Sequence, residues 1–155
     1  MIIQIDTREH KFELARIQRQ IERQGVKTIN SKLYVGDYQS LDNPRLVIDR
    51  KQDLQEICGN VCQQHERFQK ELMRARDAGI QIIILCEHGG DIKCLEDVYF
   101  WDNPRIQKSP KATTGETLYK TLCTIRDRYG IRFEFCDKRQ TGERIIELLG
   151  GEGDG

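Results

Sequence analysis

Long apolar runs are missing from this 155-residue sequence. The longest, Ile82 to Cys86, falls far short of the roughly 20 residues that span a bilayer. At the N-terminus, MIIQI meets Asp6 before the apolar core of a signal peptide can form. A membrane partner is therefore not expected, and the reading is a cytoplasmic protein without a secretion signal. Net charge is also missing: 25 basic residues balance 25 acidic ones. That excludes a sequence-blind binder of nucleic acid over the whole surface and leaves local patches open. No CxxC pair occurs among the six cysteines, 58, 62, 86, 94, 123 and 136, so free thiols in a reducing compartment are expected. Cys58 and Cys62 share a helix face, but no second Cys/His pair follows at zinc-site spacing. Internal repeats and linkers are absent, and the length fits a single domain with one proper core.

What is present reads as alternating strands and helices. Ile2 to Ile5 forms a short strand ending at Asp6, and residues 10–24 carry a helical stripe of Leu14, Ile17 and Ile21, stopped by Gly25. Val26 to Ile29 and Lys32 to Gln39 are expected as strands joined by Asn30-Ser31, with Leu46 to Arg50 as a third. Residues 52–62 and 64–78 read as helices, the second burying Phe68, Leu72 and Ala75. QIIILCE, 81–87, is continuously apolar, which suits a central strand covered on both faces. Residues 88–112 carry no sustained period and read as a long loop or partly helical insertion. Thr113 and Glu116 have capping-box spacing ahead of a helix through Tyr129. A strand over 131–136 and a helix over 142–149 finish the domain, with a flexible tail after it. The fold class is α/β, a mixed central β-sheet flanked by helices on both faces.

The acids and bases fall at the ends of these strands. Asp6 closes the first, followed by Arg8 and Glu9; Asp37 follows Gly36; Asp49, Arg50 and Lys51 end the strand LVIDRK. Asp49 and Lys51 are two apart on a strand, so their side chains share a face. Carboxylates drawn together from neighbouring strands suit a hard divalent cation, and a lysine beside them suits charge building on a phosphoryl group. The spacing alone is equally that of a charged strand edge that blocks sheet-to-sheet aggregation. Glu87 reads either as a supporting acid or as the place where its strand meets water. His10, His65 and His88 share no spacing, and none is assigned.

IDTRE, then GDY, then an acid-Arg-Lys triplet, then a helix containing Arg-Phe resembles the nuclease domain of the XPF family of structure-specific DNA endonucleases. That family belongs to the PD-(D/E)XK restriction-endonuclease-like superfamily. The motifs cover residues 2–87, and the later elements suit the same domain. The resemblance implies a restriction-endonuclease-like nuclease domain over residues 1–149, with 150–155 as tail. It also implies a Mg²⁺ or Mn²⁺ site at Asp37 and Asp49 with Asp6, and with Glu9 close by. Lys51 would serve the water or the transition state, and Arg50 or Arg8 the scissile phosphate. Two positions depart from the family pattern. Asp49 stands where the family has glutamate, and Gln55 stands at the family's last aspartate, between Asp53 and Glu56, so that acid is left unassigned.

The implied activity is metal-dependent cleavage of branched DNA such as flaps, forks and nicked junctions, in recombination, replication or repair. The alternatives are a Holliday-junction resolvase, another nuclease of the superfamily, or a silent copy that binds DNA or scaffolds a partner. A silent copy is expected to have lost Asp37, Asp49 or Lys51, and all three are present. Arg67, Lys70 and Arg74 form a stripe that reads either as phosphate contacts or as an ordinary solvated helix face. The same holds for Arg105, Lys108 and Lys111. Tyr99, Phe100 and Trp101 read either as stacking groups or as a plug onto the core, the plug being favoured. Many family members carry a DNA-binding domain after the nuclease domain, and this sequence ends about where that would begin. DNA binding is therefore expected from its own surface, from a partner or from a homodimer; the apolar helix of Ile145, Ile146, Leu148 and Leu149 reads equally as a surface for that homodimer or as the end of the core. The minimal size suggests a bacterial or viral setting.

Overall fold

A computed structural model of the chain describes residues 1–8 and 11–150, with only the backbone of Lys11. The expectation for Glu9 lies outside these residues, as does the expected tail beyond Gly150. Six strands form one mixed sheet: β1 (Ile2–Asp6), β2 (Lys27–Ser31), β3 (Tyr38–Ser40), β4 (Leu46–Lys51), β5 (Gln81–Cys86) and β6 (Arg132–Phe135). Their order is β2-β1-β3-β4-β5-β6, with β3 antiparallel to both neighbours and the remaining pairs parallel.

The two-residue alternation of the strands divides the interior into two cores. Ile3, Ile5, Ile48, Ile83 and Leu85 face α1 (Lys11–Arg23) and α5 (Thr141–Leu149). Val47, Ile82, Ile84 and Cys86 face α2 (Leu54–Cys62), α3 (His65–Asp77) and α4 (Gly115–Tyr129). β5 sits between β4 and β6 and is buried on both faces after its first residue, as its apolar run predicts. The stretch 88–112 is partly helical, with 3-10 turns at Leu95–Phe100 and Pro104–Gln107.

Three local expectations are corrected, and a fourth element resolves between its two readings. Alternation over 32–39 predicts a strand, but only Tyr38–Ser40 joins the sheet. Leu33 and Val35 turn into the core from a loop, and Gly36 then takes φ +78, where an added Cβ would stand 2.4 Å from a Val47 methyl. The expected hairpin between β2 and β3 does not form: β2 pairs in parallel with β1. β1, with Ile3 and Ile5 fully buried, takes the interior place, and the polar KTINS strand takes the edge. The cap of α4 is Thr114, not Thr113; its hydroxyl accepts from the Thr117 amide at 3.1 Å. Finally, the apolar excess of α5 goes into the core. Ile145, Leu148 and Leu149 are buried and Ile146 packs beside them, so α5 offers no broad apolar face for a second subunit.

Candidate nuclease site

The site is built where β3 enters the sheet beside β4. The Asp37 amide donates to the Ile48 carbonyl at 2.8 Å, and its carboxylate Oδ2 accepts the Arg50 amide at 2.8 Å. Tyr38 pairs with the same Ile48, so Asp37 and Tyr38 both oppose it, and the two Asp37 bonds tie that residue to β4 on either side of Asp49. Gly36 is what lets the chain turn into this register. On β4, Asp49 and Lys51 point to the α2/α3 face, as their spacing predicts, and Lys51 Nζ lies 3.5 Å from Asp49 Oδ2. The lysine ammonium lies 5.7 Å from the centroid of the Phe68 ring of α3, a cation–π contact. Burial pulls the Lys51 pKa down, but the fields of Asp49, Glu56, Asp37 and Glu71 outweigh it and raise the value above the ordinary lysine range.

Asp6 lies on the same face, and its amide donates to the Asp37 carbonyl at 2.8 Å. Its carboxylate is engaged by the Leu33 amide at 2.9 Å and by Arg8 through Nε at 2.8 Å and Nη2 at 3.2 Å. Arg8 also reaches the Leu33 carbonyl at 3.0 Å, so Asp6 and Arg8 together pin the loop that delivers Asp37. The hydrogen bond to Asp6 raises the Arg8 pKa, with Asp37 and Glu71 adding to it.

Arg50 is a correction. Strand alternation turns it away from Asp49 and Lys51 to the α1/α5 face, where its Nη1 donates to Glu87 Oε1 at 2.6 Å. Glu87 is itself buried; its Oε2 accepts from Arg16 Nη2 at 2.7 Å and from the Thr141 hydroxyl. The acid ending β5 thus ties α1 and α5 to β4, and Arg50 has no path to a phosphate on the other face.

Arg67, Lys70 and Arg74 are exposed on α3 and line, with Arg8 and Asp37, a cleft of about 380 Å³. All four residues expected to contact DNA meet in this one place. Glu71, which the sequence reading missed, lies in the same cleft. Burial and the Asp49 carboxylate raise its pKa, while Lys51 and the Gly36 amide, which hydrogen-bonds to it, work against the rise. Its position one helical turn after Arg67 was the available signal. Asp53 is accounted for elsewhere: its Oδ1 accepts the Glu56 amide at 2.9 Å and caps α2. Trp101 plugs the core edge-on to His88, whereas Phe100 stays 80% exposed. Arg105 and Lys111 line a separate hollow of about 220 Å³ with Cys58 and Cys62.

Among curated proteins none matches the chain. Among solved structures, XPF from Aeropyrum pernix aligns with a TM-score of 0.66 at 20% identity, over 99% of this chain and 62% of that one. XPF from Aeropyrum pernix in complex with DNA aligns with a TM-score of 0.69 at 19% identity, over 99% of this chain and 65% of that one. The chain thus shares their fold and spans less than two thirds of their length. The family described as ERCC4 domain matches residues 5–149. By that match over nearly its whole length, the chain belongs to the ERCC4 domain family.

Proposed function

We propose that the chain is a metal-dependent DNA endonuclease that cuts branched DNA, such as flaps, forks and nicked junctions, at the face carrying Asp37, Asp49 and Lys51. The observation that carries this reading is Asp37 hydrogen-bonded to β4 on both sides of Asp49, with Lys51 3.5 Å from Asp49 and four cations lining the adjoining cleft. Family membership and the fold shared with XPF from Aeropyrum pernix in complex with DNA support it.

The donor set fits Mg²⁺ or Mn²⁺. Among the described residues no three metal-ligating side chains converge into a closed cage. Two carboxylates on adjacent strands are what Mg²⁺ uses when substrate phosphate and water complete its shell. Asp37 and Asp49 would hold the ion, which would polarise the phosphoryl oxygen and lower the pKa of a bound water. The protein's own residues do the rest. Arg8, Arg67, Lys70 and Arg74 take the phosphates flanking the bond and set the register of the strand. Lys51, protonated and held against Phe68, donates to the phosphoryl oxygen as negative charge grows there. Asp6 acts one step removed, fixing the loop that places Asp37.

The test is a panel of labelled flap, fork, nicked, four-way-junction and plain duplex substrates, incubated with the purified protein and Mg²⁺ or Mn²⁺. Cleavage of a branched substrate in preference to duplex, abolished by chelation, is expected. Cleavage of none of them defeats the enzyme reading, and a preference for the four-way junction selects a resolvase.

A further inference from the structure

The loop before Asp37 alternates in and out of the core: Leu33 and Val35 are each 5% exposed, and Tyr34 between them is 55% exposed. Arg8 and Asp6 clamp Leu33 on one side, and Gly36 locks against Val47 on the other, so Tyr34 is held outward on a fixed backbone. Its ring lies 4.1 Å from the Arg74 guanidinium. Tyr34 lines the cleft that Arg8, Arg67, Lys70 and Arg74 share with Asp37, and more than half of it is still exposed there with Arg74 against its ring.

We infer that Tyr34 is a stacking platform for an unpaired nucleotide, and that it gives the cleft its preference for DNA with a single-stranded portion. The inference rests on the endonuclease reading for the choice of DNA as ligand. An exposed aromatic ring amid cations has the two properties that single-strand sites combine, a π-face for a base and positive charge for its phosphates. A base on the open side of Tyr34 extends the stack already begun by Arg74, whose guanidinium polarises the ring from behind. A base inside a duplex cannot do this, since both its faces are covered by its neighbours. Three peptide steps separate Tyr34 from Asp37, a reach of at most about 10 Å, so the stacked base lies within a few nucleotides of the bond to be cut. Phe12 and Phe100 are more exposed, but neither lines this cleft.

The experiment measures binding by the whole chain in EDTA, where nothing is cut. The probes are a flap with a fluorescent adenine analogue in its single-stranded arm beside the junction, and a plain duplex of equal length. Quenching of the analogue by the wild type, with about 10-fold weaker flap binding for Tyr34→Ala, is expected from the loss of one stacked base. Duplex affinity should be unchanged, and Tyr34→Phe should bind as the wild type does. Lys70→Ala, which removes only charge, should weaken both probes alike. Equal losses on flap and duplex for Tyr34→Ala, no loss on the flap, or no binding of either probe by the wild type would each overturn the inference. Stacking without any cleavage in Mg²⁺ would defeat the endonuclease reading alone, and cleavage with no role for Tyr34 would defeat the platform alone.

Discussion

Arg50 and Lys51 are neighbours in the chain and end on opposite faces of the sheet. Strand geometry makes this unavoidable, and the residue i, i+2 spacing of Asp49 and Lys51 already carried it. What the sequence did not carry was a partner for Arg50. Glu87 lies 37 positions away, and only the parallel pairing of β4 with β5 brings the two together at 2.6 Å. Both side chains are almost fully buried, so Arg50→Ala leaves part of a buried carboxylate uncompensated while Arg16 and Thr141 remain. A loss of about 3 kcal/mol is expected, the low end for breaking a buried pair. Arg67→Ala, at an exposed helix position, should cost less than about 0.5 kcal/mol and instead weaken DNA binding. Denaturant titration of both variants separates an architectural arginine from a substrate-facing one, and equal costs would contradict the assignment.

At the scale of elements, α2 shows how a charged residue near a site can belong to the scaffold. Open amides at and just before its start meet three acceptors. Asp53 accepts from Glu56, Glu56 Oε1 takes the Gln52 amide at 2.6 Å, and His88 Nδ1 takes the Leu54 amide at 3.1 Å. Asp53 therefore needs no catalytic role, and Asp53→Ala should lower stability by about 1 kcal/mol, as for other helix caps, with the cleavage rate unchanged. A lost cleavage activity in a folded variant would return Asp53 to the site. His88 adds a pH dependence. Its Nδ1 accepts only when the ring is neutral, and burial lowers its pKa below the ordinary 6.5, with Asp53 opposing. The unfolded chain then takes up the proton first, so this stabilisation is full above 6.5 and is lost as pH falls through the lower native value. Thermal unfolding should show that acid-side loss in the wild type, and His88→Ala should remove it.

Most elements were legible because they depend on local period: the stripe of α3, the apolar run of β5 and the glycine stop at Gly130 all stand where pattern places them. The errors cluster at the β2–β3 region, where tertiary placement decides. Alternation through Leu33 and Val35 mimics a strand, yet those residues anchor a loop, and pairing order in a sheet is not written in any one strand. The site divides in the same way. The carboxylates and Lys51 follow from strand-end positions, whereas Glu71 and Tyr34 join them only because α3 and the loop close over one cleft.

For the whole molecule, a net charge of +0 conceals a sorted surface. Arg8, Arg67, Lys70 and Arg74 share the cleft beside Asp37, while Asp53, Asp91 and Asp102 line another hollow of about 560 Å³. A polyanion is thus drawn to the face where β3 and β4 present their acids and turned away from the other. The sheet supplies the rigid frame: two cores clamp β4 and β5, and the candidate site stands at its rim. The central claim is that cleavage happens at Asp49 and Lys51. Single-turnover cutting of a labelled flap in Mg²⁺, measured with flap binding in the same preparations, tests it most directly. Asp49→Asn and Lys51→Ala should each lower the cutting rate by at least about 100-fold, the usual loss for a group acting on transition-state charge, while fold and DNA affinity stay at the wild-type level. Variants that are folded, bind the flap and still cut it at the wild-type rate would contradict the account.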